Sequence, residues 1–186
     1  MEVKVLKECG YEESAIGFAL SYNSTPERAK QIFPKFAFGV PGEGKFLESI
    51  VLWLDVNAPR FWWCESDTYR VGNTKQSQST IHTITKKKLT NRDFEYPLER
   101  DYLEEINNAI NWYNDPNNDK SDKLEYFLYI KNILPEGFLQ RRIWVLNYKT
   151  LQNIYNQRKN HKLPQWRKFL EDVLSQIEHP EFIVQK

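Results

Sequence analysis

The sequence is poor in the residues that staple folds or hold metals. Two cysteines, Cys9 and Cys64, cannot build a disulfide framework. Three histidines, His82, His161 and His179, stand far apart without metal-ligand spacing, which argues against a zinc enzyme. No apolar run approaches the ~20 residues of a membrane span. The start, Met1-Glu2-Val3-Lys4-Val5, lacks the charged-then-apolar layout of a secretory leader. Nor is there an excess of either charge. Lys and Arg number 26 against 25 for Asp and Glu, so a duplex-coating role is disfavoured. These absences leave a cytoplasmic globular protein as the expectation.

Ring surface, in contrast, is plentiful. Eleven Phe, ten Tyr and six Trp in 186 residues give too much apolar area for a disordered chain. The length suits one domain with a sizeable core. Val3–Leu6 alternates like a strand, and Ala15, Ile16, Ala19 and Leu20 have helical spacing within 12–21. Thr25-Pro26-Glu27 reads as a capped helix start, with the helix ending before Pro34. Gly39, Pro41, Gly42 and Gly44 mark 37–45 as a loop. Residues 49–56 form the clearest strand, with Ile50, Leu52, Leu54 and Val56 on one face. Residues 61–70 suit a short aromatic helix, with Cys64 in the core. The polar stretch 71–85 reads as a loop, either solvated or wrapped around a phosphate. Helices are expected over 98–113, 120–133, 147–158 and 165–177, with an extended piece over 142–146.

Several residues are candidates for chemistry. Asn147, Leu151, Ile154 and Arg158 share one helix face, so the apolar pair would carry Arg158 inward. A buried guanidinium needs an anion: a ligand phosphate, an internal carboxylate, or solvent reached by snorkelling. Arg141 and Arg142 point to opposite sides of an extended stretch, so one can face a site. Tyr69 and Arg70 could stack on a planar ring and hold a phosphate. Ser77 and Ser79 are possible phosphate donors. No Cys–His or Ser–His pairing suggests an enzyme nucleophile.

From Leu134 onward the chain resembles the flavin-dependent thymidylate synthases, the thymidylate-synthase-complementing family. Leu134-Pro135, Arg141, Trp144, Asn147, Leu151, Asn153, Asn156 and Arg158 carry the family's spacing. Gln165-Trp166 resembles its Ala-Gln-Trp segment after one inserted residue. Glu48-Ser49-Ile50-Val51 through Val56-Asn57-Ala58-Pro59 resembles its Glu-His-x-x-Phe-x-Phe strand and exit. A variable helical insert at about 90–132 separates the two blocks within one domain spanning 1–186.

The resemblance implies an α+β fold, a sheet packed with helices, and a homotetramer. It implies FAD and dUMP at subunit interfaces, with methylenetetrahydrofolate as one-carbon donor and NADPH as reductant. It implies that Arg141 and Ser77 hold the nucleotide and that Arg158 sits against the pyrimidine as the catalytic cation. It implies that Glu48, Tyr69, Arg70, Asn147 and Asn153 lie near the flavin. Reduced flavin and a polarised pyrimidine would then do the chemistry without an enzyme nucleophile.

One block departs from the family. Its signature R-H-R-x-x-S-x-N-x-x-S-x-R-Y falls on 67–80, where Arg70 keeps an R-H-R position. Ser77 matches the later serine after a one-residue gap. The signature Arg-Tyr becomes Ser79-Thr80 or Thr80-Ile81. Glu43, Glu65 and Asp67 would repel phosphates if they faced the same pocket. A short, divergent form of this kind suits a phage-encoded relative. Two readings follow: a divergent enzyme acting on a pyrimidine nucleoside monophosphate, or an inactive relative that binds a nucleotide or a protein, as an inhibitor or sponge.

Overall fold

The computed structural model describes residues 1–39 and 42–185, so Pro41 of the expected loop lies outside the described residues. Among them four strands form one antiparallel sheet in the order β1-β2-β4-β3. The strands are β1 (Glu2–Cys9), β2 (Val51–Pro59), β3 (Asn73–Ser77) and β4 (Leu139–Asn147). The helices are α1 (Tyr11–Ser21), α2 (Pro26–Phe36), α3 (Phe46–Ser49), α4 (Arg60–Ser66), α5 (Thr80–Thr83), α6 (Arg100–Asn114), α7 (Lys120–Ile133), α8 (Tyr148–Arg158) and α9 (Pro164–Leu174). The expected α+β class is the one observed.

The residues group into two compact units, whose boundaries fall within β2, β3 and β4. The larger comprises 2–56, 67–76 and 142–186. Its core takes the predicted face of β2, with Ile50, Leu52, Leu54 and Val56 all fully buried. Trp144, Leu151, Ile154, Trp166, Phe169 and Val173 are buried in it as well. A ring cluster lies beside them: Phe33 stacks on Phe46 at 3.9 Å, and Phe18 meets Phe33 edge-on at 5.4 Å. The smaller unit comprises Met1, 57–66 and 77–141. There α6 and α7 close over Ile84, Leu89, Phe94, Ile106, Ile110, Ile130 and Phe138.

Five local expectations need correction. Helix α2 continues through Pro34 to Phe36. Pro34 sits in the last turns, where one lost amide is tolerated because Phe33 is fully buried and the Ala37 amide closes onto Phe33 at 2.8 Å. The start of the 49–56 strand and part of the 37–45 loop are a 3₁₀ turn, Glu43–Lys45, running into α3. Residues 71–85 are not all loop, since they supply β3 and α5. As the sheet's edge strand β3 pairs on one side only, and it carries no apolar alternation to betray it. Helix α1 buries Ala15, Phe18 and Ala19 and leaves Ile16 and Leu20 exposed, because the small residues admit close packing. Cys64 is exposed, because α4 turns Trp62, Trp63 and Ser66 inward and Cys64 falls on its outer face.

Candidate functional site

A cleft of about 730 Å³ opens in the larger unit, a size usual for small-ligand sites. Glu48 flanks it from α3, Thr68 to Gly72 from the turn before β3, and Asn147, Lys149, Thr150, Asn153 and Gln157 from the start and one face of α8. The local sequence explains the arrangement. Asn147 caps α8, its Oδ1 accepting from the Thr150 amide at 2.9 Å. Its own amide donates to the Gly72 carbonyl at 3.1 Å, and Thr150 Oγ1 donates to the Val71 carbonyl at 3.0 Å. Gly72 has φ of +68°, and a Cβ there would lie 2.5 Å from Thr150 Oγ1. The turn therefore rests directly on the positive end of α8. Asn73 fixes the turn's other side, donating to the Tyr69 and Val71 carbonyls and accepting from Trp144 Nε1 at 2.9 Å.

One wall is a hydrogen-bonded series. Arg158 Nε donates to the Tyr69 hydroxyl at 2.9 Å. That hydroxyl donates to Gln157 Oε1 at 3.0 Å, and Gln157 Nε2 donates to Asn153 Oδ1 at 2.9 Å. The Arg158 guanidinium also lies 5.1 Å from the Trp166 ring and 5.5 Å from the Tyr69 ring. Arg158 is thus half-buried, and these rings and the hydroxyl are among the groups that hold it. Tyr69 is 9% exposed, with its ring edge-on to Trp166.

The acidic residues of the altered signature do not converge on this cleft. Asp67 pairs with Arg142 at 3.0 Å and Lys75 at 3.3 Å, and it is absent from the lining. Burial lowers the Lys75 pKa, and Asp67 opposes that shift. Glu43 accepts from the Tyr22 hydroxyl and lines a different cleft, between α1 and α3. Glu65 does not line the Glu48–Gln157 cleft either.

Of the predicted site residues, Glu48, Tyr69, Arg70, Asn147 and Asn153 line one cleft, and Arg158 is bonded to its Tyr69 wall. Arg141 and Ser77 are exposed and belong to the smaller unit. The sequence reading missed Lys149, Thr150 and Gln157. Lys149, Asn153 and Gln157 recur at every fourth residue of α8, a polar row beside the apolar one, and that spacing was the available signal.

The scaffold is thus an α+β fold with a ligand-sized, mixed-charge cleft at a helix start. No family model and no curated protein matches the sequence. Solved structures do match the fold. A structure of thymidylate synthase X from Helicobacter pylori with FAD and dUMP superposes with a TM-score of 0.71 at 13% identity. A second, described as the flavin-dependent thymidylate synthase of Helicobacter pylori complexed with FAD and dUMP, gives 0.71 at 14%. Each comparison covers 100% of this chain and 98% of the other. The chain has the fold of these flavin-dependent thymidylate synthases.

Proposed function

We propose that the chain is a divergent flavin-dependent thymidylate synthase-like protein that binds a pyrimidine nucleoside monophosphate of the dUMP type. One observation carries the reading: in a chain with this fold over its full length, Arg158 is held by Tyr69 and Trp166, and Tyr69 walls a cleft that presents Arg70 and Lys149. Two cations and the positive end of α8 suit a phosphate-bearing ligand. Arg158 stabilises negative charge developing on the pyrimidine. Arg141 and Ser77, on the smaller unit, are further nucleotide-binding candidates by resemblance.

The cleft's donors also fit FAD. Arg70 offers a cation to its phosphates, and Asn147 retains an amide nitrogen after its oxygen is used in the cap. Glu48, Tyr69 and Asn153 are the remaining groups toward the flavin. When bound, the flavin supplies the redox chemistry for one-carbon transfer to pyrimidine C5, with methylenetetrahydrofolate and NADPH as co-substrates. The reading carries a homotetramer, one functional domain over 1–186 with an insert at about 90–132, and a phage gene acting in the host cytoplasm. No helix among the described residues is long and apolar enough to cross a membrane.

The second reading, a nucleotide- or protein-binding relative without catalysis, is favoured by the signature segment itself. Only Arg70 remains of its leading cationic group, and Asp67 is engaged with Lys75 and Arg142. Incubation with FAD followed by desalting separates the readings. Retained absorbance between roughly 370 and 450 nm, with turnover of dUMP, supports the enzyme. A colourless protein that still binds dUMP supports the second reading, and one that binds neither overturns the enzyme and leaves the second reading only its protein-binding form.

A further inference from the structure

The smaller unit carries a concave surface of its own, on the exposed side of α6 and α7. It encloses about 470 Å³ and is lined by Asp101, Glu104, Glu105, Asn108, Trp112, Tyr126 and Tyr129. Trp112 and Tyr126 stack face to face with centroids 3.6 Å apart, a ring pair that joins α6 to α7 and lines the groove. The Tyr129 hydroxyl donates to Glu105 and ties the two helices across the groove. Glu125 lines an adjoining hollow with Tyr126 and Tyr129.

Two leucines of α7 are exposed outside this lining. Leu124 and Leu128, one turn apart, are 61% and 57% exposed, and Tyr129 beside them is 41% exposed. Burial in the core does not explain this composition. Ile130 is the fully buried residue of α7, while leucine and tyrosine face outward. Isolated apolar residues on a surface are ordinary, but Leu124 and Leu128 lie one turn apart on α7, with Lys120, Glu125 and Lys131 at helical spacing from them and the carboxylate-rimmed groove on the same pair of helices.

Charge decides the occupant. Residues 100–133 hold seven carboxylates and four cationic side chains, a formal −3 in a chain whose total is +1. Of the cations, Arg100 is engaged with Glu104. A second copy docking through this same patch would set carboxylate against carboxylate, as a two-fold contact requires. A cation, in contrast, gains both from the carboxylates and from the ring of Tyr129, which is 41% exposed. We infer that the α6–α7 face docks a basic amphipathic helix of another protein, its leucine-like side chains on Leu124 and Leu128 and its Lys or Arg side chains over the acid-rimmed aromatic groove. This inference is independent of the nucleotide reading, since the residues belong to neither the cleft nor its supports.

The test uses the full chain and a labelled model peptide, a helix with one leucine face and one lysine face, followed by fluorescence anisotropy at physiological salt. The expected result is saturable binding that falls at least tenfold in Glu125→Lys and in Leu128→Ser, while Glu171→Lys on α9 leaves it unchanged. Both altered residues are exposed, and circular dichroism confirms that each variant folds. A peptide with glutamates in place of lysines is expected not to bind. Absence of saturable binding overturns the proposal. Equal loss in Glu171→Lys overturns it as well, by reducing the effect to general charge attraction. So does a concentration-dependent dimer abolished by Leu128→Ser, which would assign the face to a second copy.

Discussion

Arg158 reaches the cleft through Tyr69: its Nε donates to the Tyr69 hydroxyl at 2.9 Å. The same hydroxyl donates to Gln157, which in turn holds Asn153. One phenol thus orders a cation and an amide at consecutive positions of α8, and through Gln157 it reaches Asn153 one turn earlier. Tyr69 is therefore a positioning residue in addition to lining the cleft.

Tyr69→Phe keeps the ring against Trp166 and removes only this junction. The expected outcome is a loss of about 1 kcal/mol in stability. A drop of roughly fivefold in dUMP affinity accompanies it, because Arg158 gains rotational freedom. Urea unfolding and calorimetry on the same sample check both. Loss of stability with unchanged affinity would confine Tyr69 to packing.

Gly72→Ala tests the turn on α8. At φ of +68° a side chain is strained, and the new Cβ would press on Thr150 Oγ1 at 2.5 Å and Asn147 Nδ2 at 2.9 Å. The expected cost is at least about 1 kcal/mol. Weakened dUMP binding is expected with it, since the capped start of α8 moves. A variant with unaltered melting and binding would remove the turn from the account.

Tyr148 gives the fold a pH limit on the alkaline side. It is fully buried, and its hydroxyl donates to Glu8, whose other oxygen accepts the Glu178 amide at 2.8 Å. Burial first, and the Glu8 hydrogen bond second, raise its pKa well above the ordinary tyrosine value of about 10. The folded state keeps this proton after the unfolded chain has released it. Its contribution is complete below the unfolded value and is lost as pH climbs above about 10 toward the folded value. Denaturant unfolding from about pH 9 to about pH 11 is expected to show a steeper loss of stability in the parent than in Tyr148→Phe, by up to about 1.4 kcal/mol per pH unit. Parallel curves would exclude Tyr148 as the source.

Much of this was legible in the sequence where one physical signal dominated. The β2 face showed as strict alternation of Ile50, Leu52, Leu54 and Val56, because it packs into the core. Thr25 was readable as a cap, and its Oγ1 does accept the Arg28 amide at 3.3 Å. The phase of α8 placed Arg158 on the face with Leu151 and Ile154, and in the structure it is half-buried among rings. Strand β3 was not legible, because an edge strand of Asn73, Thr74, Lys75, Gln76 and Ser77 owes its conformation to its neighbour. Nor could sequence show that Asp67 is neutralised by Arg142 and Lys75, a contact spanning 75 residues in the first case. That pairing removes the repulsion which the acidic signature suggested. Lys149 and Gln157 were missed because their row on α8 has no apolar members to draw attention to it.

The central claim is that Arg158 serves a nucleotide in the Glu48–Gln157 cleft. Isothermal calorimetry of the FAD-supplemented protein with dUMP tests it most directly, comparing the parent with a folded Arg158→Ala variant. The account predicts saturable binding in the parent and at least a tenfold loss in the variant, about 1.4 kcal/mol. Absence of dUMP binding in the parent, or equal affinity in the two proteins, would contradict it.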